Sequence, residues 1–145
     1  MPHVFRDSTA TPQQVWDVLA DGWLFSSWVV GASRIRAVDA TWPQPGARIH
    51  HSVGAWPALM NDSTHVTAAE PGLRLVLQAR GWPVGEATVE ITVAPTTTGS
   101  RITLDETGSA GVGRWMPSAL EWVVVAPRNR ESLKRLALLA EGRAA

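Results

Sequence analysis

The chain has 145 residues, with 13 basic and 13 acidic side chains, four His and no Cys, so its formal charge is zero. A length near 150 suits one domain that buries roughly 68–70% of its unfolded surface, which leaves room for a real core. The missing cysteines exclude disulfides, thiolate zinc sites and thiol nucleophiles together, and the balanced charge offers no field to hold a nucleic acid.

At 45% apolar and 18% charged residues the composition is that of a globular protein. The longest apolar run, Trp122 to Pro127, is far too short to span a bilayer. No secretory leader is legible at the start, and the expectation is a cytoplasmic protein. Twelve of the thirteen basic residues are Arg, and the aromatics are eight Trp and two Phe with no Tyr. So many indoles suit either a densely packed core or a cavity lined for flat apolar ligands.

After a short mixed segment, Pro2 to Ser8, the run Thr11-Pro12-Gln13-Gln14 reads as a capping box with Pro at the first helical position. Val15, Val18 and Leu19 recur at helical spacing, which predicts a helix from Pro12 to about Ala20. Trp23-Leu24-Phe25-Ser26-Ser27-Trp28 is too short for an independent helix and reads as one or two turns closing onto the core, stopped by Gly31.

From Ser33 to Ser109 the pattern changes to strands punctuated by Pro and Gly, at a spacing that suits an antiparallel meander. The inward faces are expected to carry Ser33, Ile35 and Ala37; Ile49, His51 and Val53; Thr64, Val66 and Ala68; Leu73, Leu75, Leu77 and Ala79; Ala87, Val89, Ile91 and Val93; and Ile102 and Leu104. Each strand thus has one apolar and one wet face, as a sheet covered on one side requires. A hairpin turning at Pro57-Ala58 would set His50 opposite His65 on the outer face. Two imidazoles are too few for a dedicated metal site, so no metal is expected. Ser109 to Arg114 lacks the Lys-Ser/Thr ending and the parallel-strand context of a phosphate loop, so that reading is rejected.

Ser118-Ala119-Leu120-Glu121 reads as a second capping box, opening roughly 26 helical residues or about 39 Å of helix. Leu133, Leu136, Ala137 and Ala140 form its apolar stripe, with Arg130, Glu131, Lys134 and Arg135 turned to solvent. Val123-Val124-Val125 and Pro127 predict a kink or a fresh helix start near Pro127.

The order strand, helix, short helix, meander and long C-terminal helix, together with the stretches TPQQVWDVLADGWLFSSWVVG, GSRITLDETGS and APRNRESLKRLALLAEGR, resembles the SRPBCC or START-like superfamily. The branch it resembles is that of the polyketide cyclases and dehydrases, over nearly the full length. The resemblance implies an α+β helix-grip fold in one domain over residues 1–145, in which a curved antiparallel sheet wraps the C-terminal helix and leaves a cavity. It also implies a small hydrophobic ligand, lipid- or polyketide-like, with no cofactor.

Within that frame His51 is a candidate general base or ligand-orienting group, since strand parity puts it beside Ile49 and Val53 on the cavity face. The plainer alternative is a hydrogen-bonded core histidine. Glu106 follows Leu104 in parity and could act as an acid at the cavity mouth, unless it lies beyond the strand and is solvated. Glu86, Glu90, Arg34, Arg36, Arg74 and Arg80 read as surface residues, and no cavity Arg is apparent. Trp16 and Trp122 read as packing residues, Trp42 and Trp82 as structural ones in turns. Trp23, Trp28, Trp56 and Trp115 fall where the family places its cavity entrance, and either stack on a ligand or anchor loops. Three functions stay open: a binder of a small apolar or aromatic ligand, a cyclase or dehydratase using His51 and Glu106, and a protein-interaction module. The oligomeric state stays open too, a homodimer included.

Overall fold

In the computed structural model the described residues are 3–53, 60–81, 85–110 and 118–143. Strand β1 (His3–Ser8) leads into helix α1 (Pro12–Leu19), a 3₁₀ turn (Gly22–Leu24) and the short helix α2 (Phe25–Trp28). Strands β2 (Ala32–Val38), β3 (Arg48–Val53), β4 (Met60–Glu70), β5 (Arg74–Gly81), β6 (Gly85–Pro95) and β7 (Ser100–Ala110) follow, and helix α3 (Ser118–Glu141) closes the chain. The strands form one antiparallel sheet in the order β1-β7-β6-β5-β4-β3-β2. Consecutive strands from β2 to β7 are neighbours, so each link is a local hairpin. β1 crosses to the far edge and pairs with β7, Val4 opposite Leu104.

The local signals act as their chemistry dictates. The Thr11 hydroxyl accepts from Gln14 N at 3.2 Å while the Gln14 amide oxygen accepts from Thr11 N at 2.8 Å, so the capping box at α1 is complete. Gly31 ends the α2 segment at a φ of 105°, a left-handed conformation that disfavours any residue with a Cβ. The predicted box at Ser118–Glu121 falls on side chains outside the described residues.

Helix α3 runs through Pro127 as one element, so of the two outcomes expected from sequence the fresh start does not occur. Pro127 and Val123, whose carbonyl loses its donor there, both lie on the exposed side. Water can serve that carbonyl, so the cost falls away from the packed face. The packed face carries the expected stripe: Leu133, Leu136, Ala137 and Ala140 are buried in one core with Leu75, Leu77, Ile91, Val93, Ile102 and Leu104 of the sheet.

Three inward assignments need correction, and each has a local cause. Irregular register between Ile35 and Ala37 exposes Ala37 and turns Val38 toward the core. A second irregularity between Val66 and Ala68 brings Ala69, rather than Ala68, against the core. An added residue reverses the alternation beyond it, which a strict two-residue period cannot anticipate. Leu73 precedes β5 in the turn closed by its N–H to Glu70 O, and it is exposed.

One junction is tied by close approach. A Cβ at Gly99 would stand 2.1 Å from the Ser8 carbonyl oxygen, and Ser100 Oγ donates to Ala10 O at 2.8 Å beside it. Gly99→Ala should therefore destabilise by about 1–3 kcal/mol through forced displacement of β1. Leu136→Ala, at a fully buried position, should cost about 2–5 kcal/mol. Urea denaturation of the two variants checks both values.

Candidate functional site

Among the described residues, the helices leave a space over the sheet toward the ends of β3, β5 and β7. Between those strands, α2 and the first half of α3 lies a cavity of about 190 Å³. Its apolar wall comes from Phe25, Trp28 and Val29 on one side and Leu77, Val89 and Leu104 on the other. His51, Thr64, Asn129 and Ser132 are the polar residues set into that wall, and Arg80, Glu86, Glu106 and Arg128 add charge to it.

His51 is inward, as parity predicts, and only 4% exposed. Its Nε2 lies 2.8 Å from the Thr64 hydroxyl, and its ring stacks on Phe25 with centroids 5.8 Å apart. Its Nδ1 has no partner among the described residues. Burial pushes the imidazole below its ordinary value of 6.5, against the pull of Asp62, with Arg36 and His50 adding to the downward shift. The ring is therefore neutral at pH 7, able to accept or donate one hydrogen bond through Nδ1. Arg36 braces this part of the sheet by donating to the carbonyls of His51 at 3.3 Å and Asp62 at 3.0 Å.

The hairpin register differs from the sequence expectation by two residues: His50 faces Ser63, and His65 faces Arg48. The two imidazoles are therefore not opposite each other. An even shift leaves every side chain on its expected face, which is why His51 remains inward.

Glu106 lies within β7, which continues to Ala110, so it is neither past the strand nor fully solvated. Its side chain is 14% exposed and accepts from Arg128 Nη2, at 2.6 Å to Oε1. Arg128 thus places a guanidinium at the cavity, contrary to the sequence reading. Arg80 and Glu86 also reach it, paired with each other at 3.2 Å, and not only the outer surface.

Of the other predicted ligand-binding residues, Trp28 lines the cavity and packs edge-on against Phe25 at 5.6 Å. Trp23 does not line it. It is 59% exposed beside a shallow acidic groove with Asp17, Asp21 and Asp39, because the 3₁₀ turn rotates it away from Phe25 and Trp28. Ile49 is fully buried and belongs to the core rather than the cavity wall, packed under the turn that holds Gly22. The Val53 side chain, Trp56 and Trp115 lie outside the described residues, as do Trp82 and the Trp122 side chain. Trp16 is a buried core residue, and Trp42 donates from Nε1 to Leu19 O at 3.1 Å, the structural part read for it.

Sequence reasoning missed Phe25, Arg128, Asn129 and Ser132. The last two had a legible signal: stepping back four residues from Leu133 and Leu136 along the apolar stripe reaches Asn129 and Ser132, so the buried face continues with polar side chains. Ser132 Oγ accepts the Val30 N–H at 3.1 Å and ties α3 to the segment after α2.

A family described as polyketide cyclase / dehydrase and lipid transport matches residues 3–141. The chain belongs to this family. Among solved structures, protein NE0264 of Nitrosomonas europaea is similar with a TM-score of 0.73 at 18% identity, over 97% of this chain and 93% of that one. The di-domain ARO/CYC StfQ from the steffimycin biosynthetic pathway is similar with a TM-score of 0.69 at 13% identity, over 98% of this chain and 50% of that one. DynU16, a putative protein in the dynemicin biosynthetic locus, gives 0.67 at 22% identity, over 97% of this chain and 46% of that one. At these identities the likeness shows the shared fold. No curated protein matches the sequence.

The lowered His51 value makes stability depend on pH with a definite sign. Unfolded His51 takes up a proton near pH 6.5, whereas folded His51 does so only at lower pH, so acidification favours the unfolded chain. The urea midpoint should therefore fall as pH drops from about 7.5 to about 5, and His51→Gln should flatten that fall. Equal slopes for wild type and variant would show that His51 does not carry it.

Proposed function

We propose that the protein binds a small, ring-bearing and mostly apolar ligand in the cavity between the sheet and α3, with a few buried polar groups setting its orientation. The observation that carries this reading is the apolar wall of Phe25, Trp28, Leu77, Val89 and Leu104 interrupted by a buried His51 whose Nδ1 has no partner among the described residues. An open space lined this way gains free energy when apolar ligand surface replaces water. Membership of the cyclase, dehydrase and lipid-transport family supports the reading in general terms.

A cyclase or dehydratase is the second reading, with His51 taking a proton and Glu106 supplying one while the cavity holds the substrate folded. Both residues lie in the cavity wall, which favours it. The Glu106–Arg128 pair weighs against it, because donation from Glu106 first requires that pair to open.

Gentle native mass spectrometry of freshly purified protein should retain a small-molecule adduct, and an adduct-free protein should take up flat aromatics. Val89→Phe, which fills the cavity, should remove that uptake and hold or raise the melting temperature. A bare mass that persists through challenge with flat aromatics and fatty acids would refute binding. Turnover of a candidate polyketide that disappears in both His51→Ala and Glu106→Ala, with affinity kept within a few-fold, would replace the binder by the enzyme.

A further inference from the structure

Asn129 is 3% exposed, lines the cavity, and its buried Nδ2 has no hydrogen-bond partner among the described residues. The amide nitrogen carries two N–H donors, so leaving it buried and unpaired costs stability. The fold does not need a polar group there. Asn129 precedes Leu133 by one helical step on the buried stripe of α3, where leucine would extend the apolar face at no such cost.

Its polar neighbours are already satisfied: Ser132 takes the Val30 N–H, and Thr64 is engaged by His51 Nε2. Among the described residues the open groups of the wall are thus Asn129 Nδ2 on the helix and His51 Nδ1 on the sheet. The two guanidiniums at the cavity are matched by carboxylates, Arg128 by Glu106 and Arg80 by Glu86. No unpaired cation is left among the lining residues to receive an anionic ligand.

Resting on the ligand-binding reading above, we infer that Asn129 is the specificity-determining residue of the cavity and that its ligand is a neutral ring compound bearing a hydroxyl or carbonyl oxygen. A hydroxyl or carbonyl oxygen on the ligand can accept from Asn129 Nδ2, the group the described residues leave unpaired. The volume agrees with a ligand built on one six-membered ring, since an apolar cavity of about 150 Å³ holds benzene. A site whose buried polar groups are paired only by the ligand rejects analogues that lack the oxygen.

The test uses an isosteric pair, 4-methylphenol and 1,4-dimethylbenzene, titrated calorimetrically into wild type, Asn129→Leu and Asn129→Ala. Wild type should prefer the phenol, and both variants should lose about tenfold of phenol affinity while keeping hydrocarbon affinity within about threefold. The ligand-free Asn129→Leu protein should melt no lower than wild type, which a structural role for the amide would not allow. Should Asn129→Leu fail to fold, its structural role is established and the assignment falls. A phenol preference that is absent from wild type, or unchanged in the variants, overturns the assignment and leaves the cavity reading standing. Failure of folded wild type to bind either compound removes the cavity reading itself.

Discussion

The inner face of the seven-stranded sheet is apolar along most of its length, and a single helix is too narrow to cover it. Most other features of the molecule answer that constraint. The second half of α3 lays Leu133, Leu136, Ala137 and Ala140 on the sheet, and α1 adds Val15, Trp16, Val18 and Leu19 to the same core. Toward the ends of β3, β5 and β7 the cover changes to α2, where Phe25 meets Trp28, Trp42 and His51 through ring contacts of 5.6 to 6.4 Å. The space left under that aromatic cluster is the cavity. Close packing elsewhere holds it open, because a core at crystal-like density does not flow into a gap.

Polarity in this space is confined to a few positions, and its cost explains its meaning. The low dielectric that keeps His51 neutral also raises the cost of its open Nδ1 and of the Asn129 amide. Charges are treated differently. Glu106 and Arg128, Glu86 and Arg80, and the outer-face pair Arg74 and Glu90 at 2.8 Å are each matched with an opposite partner. The site thus combines settled charges with unsettled neutral polar groups, an arrangement suited to a neutral, partly oxygenated guest.

Legibility in the sequence followed the range of the signals. Local ones survived: the Thr11 capping box, the short turns around Phe25, the alternation that placed His51 and Glu106 inward, and the stripe on α3. What failed depended on distant partners. The irregularities in β2 and β4 reversed parity for Val38 and Ala69, and the two-residue register shift separated His50 from His65. Trp23 and Trp28 are five residues apart in one segment, yet only Trp28 reaches the cavity, because a 3₁₀ turn precedes α2 and the side chains of the two leave on different sides.

Residue types at periodic spacing determined the order of elements and the identity of the inward residues on regular strands, while the helix-grip architecture was legible only through the resemblance to a family. Such periodicity is a property of neighbouring residues and needs no partner to be read. Tertiary structure alone decided that the described helices leave a cavity over the apolar face, that Arg128 settles on Glu106, and that Asn129 Nδ2 has no partner among the described residues. Each depends on which groups meet across more than twenty residues of chain, and hydrogen bonds and burial are set by that meeting rather than by sequence neighbours.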